Sequence, residues 1–278
     1  MILIADSGST KTDWCLIGDN VIIGSYKTQG INPFHQSRDT IMDVVEKELM
    51  PMLDTKNIDA LYFYGSGCTN ETSIIVRDVI TSLLPDIKDI EVNGDLLGAA
   101  RALCGKKEGI ACILGTGANS CLYDGEKVIK NTPPLGYILG DEGSGAVLGK
   151  RFFNLMFKGG LSSEICNAYL ESEQMTMADV IRRVYREPMA NRFLASTSLF
   201  IHENLACEQL NDLVVDNFRD FIRRNILQYE RRDLPVNAIG SMAYYYKEQF
   251  LAALASEGFL EGTVERSPMD GLLIYHNE

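Results

Sequence analysis

The chain has 278 residues and a mass of 30.9 kDa, which is long for one domain and ample for two. Hydrophobic residues make up 46% and charged residues 23%, ordinary globular values that exclude a disordered, collagen-like or coiled-coil chain. Lysine and arginine total 26 against 38 aspartate and glutamate residues, for a net charge of -12. This negative charge argues against nucleic acid or an anionic membrane surface as a partner.

The cysteines and histidines indicate neither a disulfide framework nor a metal site. The chain has seven cysteines and three histidines, and neither C-x-x-C nor H-E-x-x-H occurs. We interpret the cysteines as reduced, buried thiols. The first residues have no basic leader, and no stretch approaches the ~18 apolar residues of a membrane span. The sequence therefore predicts a cytoplasmic protein.

Apolar runs in the first part of the chain predict alternating strands and helices. Strands are expected over 2–5, 14–17, 21–25, 60–64 and 87–92, and helices over 41–52, 70–84 and 95–103. Residues 6–12 are interpreted as a polar loop. The glycine-flanked, charged segment 105–109 predicts a domain boundary. We therefore expect one domain of residues 1–107 plus a C-terminal helix within 267–278, and a second of residues 108–266.

The opening pattern of strand, glycine loop and hairpin recurs after this boundary. Apolar residues 110–114 precede a loop at 115–119, and strand-like runs follow at 120–123 and 127–129. In this alignment Gly8 corresponds to Gly117, and the pair Val21-Ile22 corresponds to Val128-Ile129. A fixed internal spacing of this kind indicates a duplicated unit.

The rest of the second domain reads as mainly helical. Residues 144–232 show helical spacing of apolar side chains, and a short strand is expected over 236–239. Gly240-Ser241 should open a helix, and a last helix is expected over 267–275. The predicted fold class is α/β, with a helical elaboration in the second domain.

The glycine loops match neither of two common phosphate-binding patterns. No G-x-x-x-x-G-K-[ST] segment occurs, and neither Gly65-Ser66-Gly67 nor Gly115-Thr116-Gly117 continues as G-x-G-x-x-G. A turn of small residues directly after a buried strand can still present successive N–H groups to phosphate oxygens. At the first such turn, nearby hydroxyls and Lys11 can add donors and charge. Asp6, at the end of the strand, can hold a magnesium ion through water, because that ion prefers hard oxygen ligands.

Three segments together resemble the N-acetylglucosamine kinases and the related activator ATPases of benzoyl-CoA reductase and 2-hydroxyacyl-CoA dehydratase. They are the segments Asp6-Ser7-Gly8-Ser9-Thr10-Lys11-Thr12, Gly115-Thr116-Gly117-Ala118-Asn119 and Gly140-Asp141-Glu142-Gly143-Ser144. The resemblance extends over nearly the whole chain. It implies the fold of the sugar kinase, actin and heat-shock chaperone superfamily: two ribonuclease-H-like lobes, an ATP-binding cleft between them and a helical insertion in the second lobe.

The resemblance also implies roles for individual residues. Asp6 would bind Mg²⁺, and Asp95 would be the catalytic base that also contacts the sugar. The residues implied in ATP binding are Ser7, Gly8, Ser9, Thr10, Lys11, Thr12, Gly115, Thr116, Gly117, Gly240 and Ser241. The other residues implied in sugar binding are Asn32, Asn119, Tyr137 and Asp141. The implied activity is ATP-dependent phosphorylation of an amino-sugar hydroxyl, with N-acetylglucosamine as the first candidate and a homodimer as a candidate assembly.

Several alternatives stay open from the sequence. The chain departs from the family at Ser7 and Ser9, where glycines are usual, at Ala118 in place of serine, and at Tyr137 in place of tryptophan. An activator ATPase would need cysteines for an iron–sulfur cluster, and a nucleotide-dependent sugar sensor would bind without turnover. Asp95 could be a simple helix cap, as could Asp141 and Glu142, and Glu142 could be structural or close to the metal.

Overall fold

The computed structural model describes residues 1–8, 10–19, 21–53 and 57–277. Contacts divide the chain into two compact units. Unit 1 comprises Met1–Lys107, Asp124–Val128 and Ser267–Glu278, and unit 2 comprises Glu108–Tyr123 and Ile129–Arg266. Within the described ranges, no helix is both long and apolar enough to cross a membrane.

Unit 1 is built on a five-stranded mixed sheet of order β3-β2-β1-β4-β5. The strands are β1 (Ile2–Ser7), β2 (Lys11–Gly18), β3 (Val21–Gln29), β4 (Ala60–Gly65) and β5 (Asp89–Gly94). The first three strands are antiparallel, whereas β1, β4 and β5 run parallel. Because parallel strands end at the same edge, the residues that follow β1, β4 and β5 lie close together.

Helices cover both faces of this sheet. The helices of unit 1 are α1 (Arg38–Val44), which continues as a π-helical turn Val45–Leu49, α2 (Ser73–Leu83), α3 (Asp95–Cys104) and α12 (Met269–Asn277). Leu3 and Ala5 on β1 pack into the core formed with α1 and α2, while Ile4 between them packs with Leu272 of α12 on the opposite face. The side chains on both faces of β1 are therefore buried, which explains its continuous apolar run.

Unit 2 has a second five-stranded sheet, of order β10-β9-β6-β7-β8. Its strands are β6 (Gly109–Leu114), β7 (Ala118–Tyr123), β8 (Val128–Asn131), β9 (Pro235–Ile239) and β10 (Leu260–Glu265). Strand β6 pairs with the antiparallel strand β7 on one side and the parallel strand β9 on the other, as β1 pairs with β2 and β4 in unit 1. A further parallel strand lies beyond β9 and beyond β4. The two sheets thus repeat one strand order, as the internal spacing of the sequence predicts.

The helices of unit 2 form a larger core with its sheet. They are α4 (Gly136–Leu139), α5 (Gly145–Phe157), α6 (Ser163–Ser172), α7 (Met177–Tyr185), α8 (Ala190–Glu203), α9 (Glu208–Phe221), α10 (Ser241–Tyr245) and α11 (Lys247–Ser256). A π-helical turn, Ile222–Ile226, extends α9. Phe218 and Phe221 of α9 are at most 1% exposed, and the Phe218 ring packs edge-on against Phe250 at 5.4 Å between centroids. The predicted helical elaboration of the second half is confirmed.

Candidate active-site residues

The first predicted phosphate loop is a tight hairpin in unit 1. Strands β1 and β2 pair up to Ser7 opposite Thr12, and Gly8 N donates to Lys11 O at 3.0 Å. The prediction of a polar loop over residues 6–12 is therefore wrong in extent, because the pairing reaches both ends of that segment. Gly8 and Thr10 lie in the turn, and Ser9 lies outside the described residues.

The hydroxyls of this hairpin are bonded inside the fold. Ser7 and Thr12 are fully buried, and their hydroxyl oxygens are 2.7 Å apart. Ser7 Oγ also accepts a hydrogen bond from Ile31 N at 3.0 Å. The Lys11 ammonium pairs with Asp13 on the same strand. These two hydroxyls therefore fix the turn from inside the fold, and whether its backbone binds phosphate stays a prediction.

Asp95 lies at the edge where the parallel strands of unit 1 end. It is the first residue of α3, directly after Gly94, which pairs with Gly65 at the end of β4. Its carboxylate accepts hydrogen bonds from its own N–H, from Leu96 N–H and from the Ser66 hydroxyl. Burial raises its pKa, and these hydrogen bonds oppose that rise. Asp95 therefore occupies the first turn of its helix, and its carboxylate is also tied to the loop after β4.

Asp6 lies close enough to Asp95 for the two carboxyl groups to interact. Burial raises the pKa of Asp6 to about 7, and the negative charges of Asp95 and Asp13 add to that effect, whereas Lys11 opposes it. Two neighbouring carboxylates repel each other, so a divalent cation between or beside them would be stabilising. In the described part of the chain, no group of three or more His, Cys, Asp or Glu side chains is arranged to hold a metal.

The loop after β4 also brings Asn32 to this edge. Ser66 N donates to Ser7 O at 2.8 Å, which joins the loop to the end of β1. A Cβ on Gly67 would lie 2.1 Å from Asn32 Oδ1, so only glycine permits this approach. Asn32 Oδ1 accepts from Phe34 N at 3.0 Å and closes a turn. Asp6, Ser7, Asn32 and Asp95 thus share one edge of the unit 1 sheet.

In unit 2, the second glycine loop packs on the start of α5. Gly145 N donates to Gly115 O at 2.8 Å, and Ala146 N donates to Thr116 O at 3.2 Å. The helix cap is Ser144, whose Oγ accepts from Val147 N at 3.1 Å. These bonds hold Gly115 and Thr116 against the first turn of α5, directly after the segment Gly140–Ser144.

Asp141 has a separate role from the helix cap. Its backbone has a φ of 55°, and its carboxylate accepts hydrogen bonds from Ala118 N–H and Gly136 N–H. A Cβ on Gly117 would lie 3.1 Å from Asp141 Oδ2. Burial raises the pKa of Asp141 to about 6, and nearby Glu142 adds to the rise. The side chain of Asp141 therefore lies on the glycine loop, where it binds the N–H of Ala118, the residue before Asn119.

Of the remaining predicted residues of unit 2, Gly240 lies next to the same loop, whereas Tyr137 and Glu142 contact other parts of the unit. Gly240 has a φ of 111°, and a Cβ there would lie 2.3 Å from Leu114 O, so the turn Gly240-Ser241 lies against the strand end that precedes Gly115. Tyr137, in α4, packs partly buried against the unit 2 core. Glu142 interacts with α9 and its extension: Asn225 Nδ2 is 3.4 Å from its Oε2 and Arg224 Nε is 3.6 Å from its Oε1.

Two residues that touch these clusters were not predicted from the sequence. Ser66 donates to Asp95, and Asn131 Nδ2 donates to Asn119 Oδ1 at 2.9 Å. A signal for Ser66 exists, because a Gly-Ser-Gly turn directly follows a buried strand. Asn131 gives no signal, because its contact is made only when β8 lies beside β7.

Comparison with known proteins identifies the family. No family profile matches the chain, and no curated protein does. A solved structure from Porphyromonas gingivalis, described as a putative N-acetylglucosamine kinase, is 49% identical over 99% of this chain and 98% of its own, with a TM-score of 0.97. A protein of the same description from Chromobacterium violaceum is 17% identical over 99% of this chain and 98% of its own, with a TM-score of 0.74.

A glucokinase of the ROK family from Streptomyces griseus, solved with glucose and AMPPNP, is 13% identical over 99% of this chain and 98% of its own, with a TM-score of 0.54. At such identities the last two structures show the fold alone. Together with the two like-ordered sheets, they confirm the predicted α/β fold class of two actin-like ATPase lobes. The identity to the Porphyromonas gingivalis protein over nearly all of both chains shows that this chain belongs to the N-acetylglucosamine kinase family.

Proposed function

We propose that the protein is an ATP-dependent kinase that phosphorylates a hydroxyl of an amino sugar, with N-acetylglucosamine as the first substrate to test. The observation that carries this proposal is the 49% identity, over 99% of the chain, to a structure described as a putative N-acetylglucosamine kinase. The clustering of the family's segments within each unit supports it.

Asp95 is the proposed catalytic base. Phosphoryl transfer to an alcohol needs positioned partners, charge neutralisation and a group that accepts the hydroxyl proton. The Asp95 carboxylate is held by two N–H groups and the Ser66 hydroxyl, so its orientation is set before substrate arrives. The N-terminus of α3 favours the ionised form, while burial favours the neutral form and so makes the carboxylate a stronger base.

The backbone of two glycine turns is proposed to bind the phosphates of ATP. In unit 1 the turn that contains Gly8 and Thr10 follows the buried strand β1, and in unit 2 the turn of Gly115–Gly117 follows β6. Turns of small residues can present successive backbone N–H groups to phosphate oxygens. Lys11, Ser241 and Gly240 complete the proposed nucleotide-binding set, together with Ser7, Ser9, Thr12 and Thr116.

The residues of unit 1 fit a magnesium ion. Mg²⁺ keeps several waters and is commonly bound by one or two carboxylates, so a site with Asp6 as ligand and Asp95 nearby suits its chemistry. When bound, Mg²⁺ neutralises negative charge on the phosphoryl oxygens. Asp6 would hold the ion, and the cation would in turn keep Asp6 ionised despite its burial.

Asn32, Asn119, Asp141 and Tyr137 are proposed to contact the sugar. Asp141 retains acceptor capacity on its carboxylate and can bind a sugar hydroxyl, whereas the amides of the two asparagines can donate or accept. Tyr137 offers an aromatic face of smaller area than tryptophan. We expect this substitution to affect the choice among sugars more than the phosphoryl-transfer step.

A coupled assay of ADP release tests the proposal. The protein is given ATP and Mg²⁺ with N-acetylglucosamine, glucosamine, N-acetylmannosamine or glucose, and sugar-dependent ADP release is expected for at least one amino sugar. Asp95→Asn should lower turnover by about 10²- to 10⁴-fold while ATP binding survives. Asp78→Asn, at an exposed position on α2, removes the same charge from unit 1 and serves as the control. ATP binding with no response to any sugar would refute the kinase proposal and favour a sensor.

A further inference from the structure

The side-chain amide of Asn119 has its oxygen fixed by two donors. Asn119 Oδ1 accepts from the backbone N–H of Ser120 at 2.9 Å and from Asn131 Nδ2 at 2.9 Å. The Ser120 N–H can only donate, so it requires an oxygen opposite it. This contact determines which end of the Asn119 amide is oxygen.

A second backbone group determines the orientation of Asn131. Its Nδ2 donates to Ser120 O at 2.7 Å, and the Ser120 carbonyl can only accept. Asn131 Nδ2 also lies 3.2 Å from Thr132 O, but its two nearest acceptors are Ser120 O and Asn119 Oδ1, and we assign its two hydrogens to them. Reversing the Asn119 amide would place its NH₂ group against Ser120 N–H, and reversing the Asn131 amide would place its oxygen against Ser120 O. Either change would set two donors or two acceptors face to face.

With its oxygen held by two donors, Asn119 has its NH₂ group left to bond another molecule. Among residues that the structure describes, none accepts a hydrogen bond from Asn119 Nδ2. Asp141 is a neighbour of opposite character, since its carboxylate only accepts and already holds Ala118 N–H, the group adjacent to Asn119. Asn119 thus offers a neutral donor, and Asp141 offers an acceptor on the same glycine loop.

We propose that Asn131 is a positioning residue that fixes the amide of Asn119 as a donor, so that the group bound at Asn119 must be a hydrogen-bond acceptor. An ether or hydroxyl oxygen, or the carbonyl of an acetamido group, satisfies this requirement, whereas an ammonium group does not. That the bound molecule is a sugar rests on the proposed function. The orientation of the two amides does not.

The kinetic test replaces the donor of Asn131 by an acceptor of the same shape. Asn131→Asp should raise the KM for the sugar by about tenfold, because a hydrogen bond of ordinary strength at Asn119 is lost or reversed. The kcat and the KM for ATP should stay within about twofold, because the contacts of Asn131 include neither Asp95, the proposed catalytic base, nor a residue proposed to bind ATP. Asn131→Leu, which leaves Asn119 held by Ser120 N–H alone, should raise the KM for the sugar less.

Asn154→Asp is the matched control, because Asn154 is exposed on α5 in the same unit and the change adds the same charge. An equal KM for the sugar in Asn131→Asp and Asn154→Asp, with the wild type active, would overturn the role of Asn131. A wild type that phosphorylates no sugar would instead refute the proposed function.

Neutron diffraction tests the amide orientation without activity. In deuterated wild-type crystals without ligand, the deuterons of Asn131 should point to Ser120 O and Asn119 Oδ1, and those of Asn119 should point away from Asn131. In Asn131→Asp the Asn119 deuterons should turn toward the new carboxylate. Deuterons of Asn119 that point at Asn131 in the wild type would overturn the inference whatever the substrate is.

Discussion

Gly98 provides a test of whether the packing of α3 sets the position of Asp95. It lies one turn after Asp95, and a Cβ there would be 2.7 Å from Cγ and 2.8 Å from Cβ of Tyr64. Tyr64 is 1% exposed and its hydroxyl is bonded to Arg101 and His276, so the ring has no room to yield. In Gly98→Ala the helix must recede by about 0.7 Å to regain an ordinary 3.4 Å contact.

A displacement on the order of 1 Å costs roughly 10²-fold in rate, and overpacking costs about 1–3 kcal/mol of stability. We therefore expect Gly98→Ala to lower kcat by 10- to 100-fold, roughly, at saturating ATP and sugar. Ile80→Val, in the fully buried core of α2, is the control and should cost about 1 kcal/mol with kcat unchanged. Urea unfolding and steady-state kinetics measure both effects. A folded Gly98→Ala protein with the kcat of Ile80→Val would refute this reasoning.

Three further predictions concern pH and a backbone turn. Asp141 has a pKa raised to about 6, so its carboxylate should become protonated and lose its acceptor role as the pH falls through that value. The KM of the wild type for the sugar should therefore rise between pH 7 and pH 5. Asp141→Asn should have a high KM for the sugar at every pH. A wild-type KM for the sugar that does not change with pH would contradict the assignment of Asp141 to sugar binding. Burial and Arg101 lower the pKa of His276 to about 4, so the unfolded chain takes up a proton between pH 6.5 and 4 that the folded chain refuses. The free energy of unfolding should fall over that range by about 1–2 kcal/mol, given the half-buried ring. Urea unfolding at several pH values should show that this free energy depends less on pH in His276→Gln than in the wild type. An equal dependence on pH in the two proteins would argue against this effect of His276. Gly240→Ala should lower stability by about 1–3 kcal/mol, because its Cβ would collide with Leu114 O; an unchanged melting temperature would count against this packing.

The strands of both sheets were predictable where burial is continuous. In β1, Leu3, Ile4 and Ala5 are all fully buried, so the sequence shows an apolar run. Strand β10 was missed because Val264 alone is buried within Leu260–Glu265, which leaves neither a run nor an alternation to detect. The extent of the first hairpin was missed for a related reason. Ser7 and Thr12 are polar, but their hydroxyls bond to each other inside the fold, and composition cannot show such pairing.

The candidate residues were predictable where they lie in short motifs, and unpredictable where they act across strands. Asp95 and Asp141 belong to segments that carry a family resemblance, whereas Asn131 acts on Asn119 from a neighbouring strand. The helix cap shows the limit of local patterns as well. Asp141 and Glu142 are plausible caps by type, yet Ser144 caps α5, because the positive φ of Asp141 carries its carboxylate onto the glycine loop.

The most direct test of the central claim is transfer of the γ-phosphoryl group to the sugar. The protein is incubated with Mg²⁺, N-acetylglucosamine and ATP isotopically labelled in the γ-phosphoryl group, and the products are analysed by mass spectrometry. We expect a labelled sugar phosphate in amounts equal to the ADP formed, and almost none with Asp95→Asn. ADP formed at one rate with and without sugar, with all label in inorganic phosphate, would contradict the assignment of this chain as a sugar kinase.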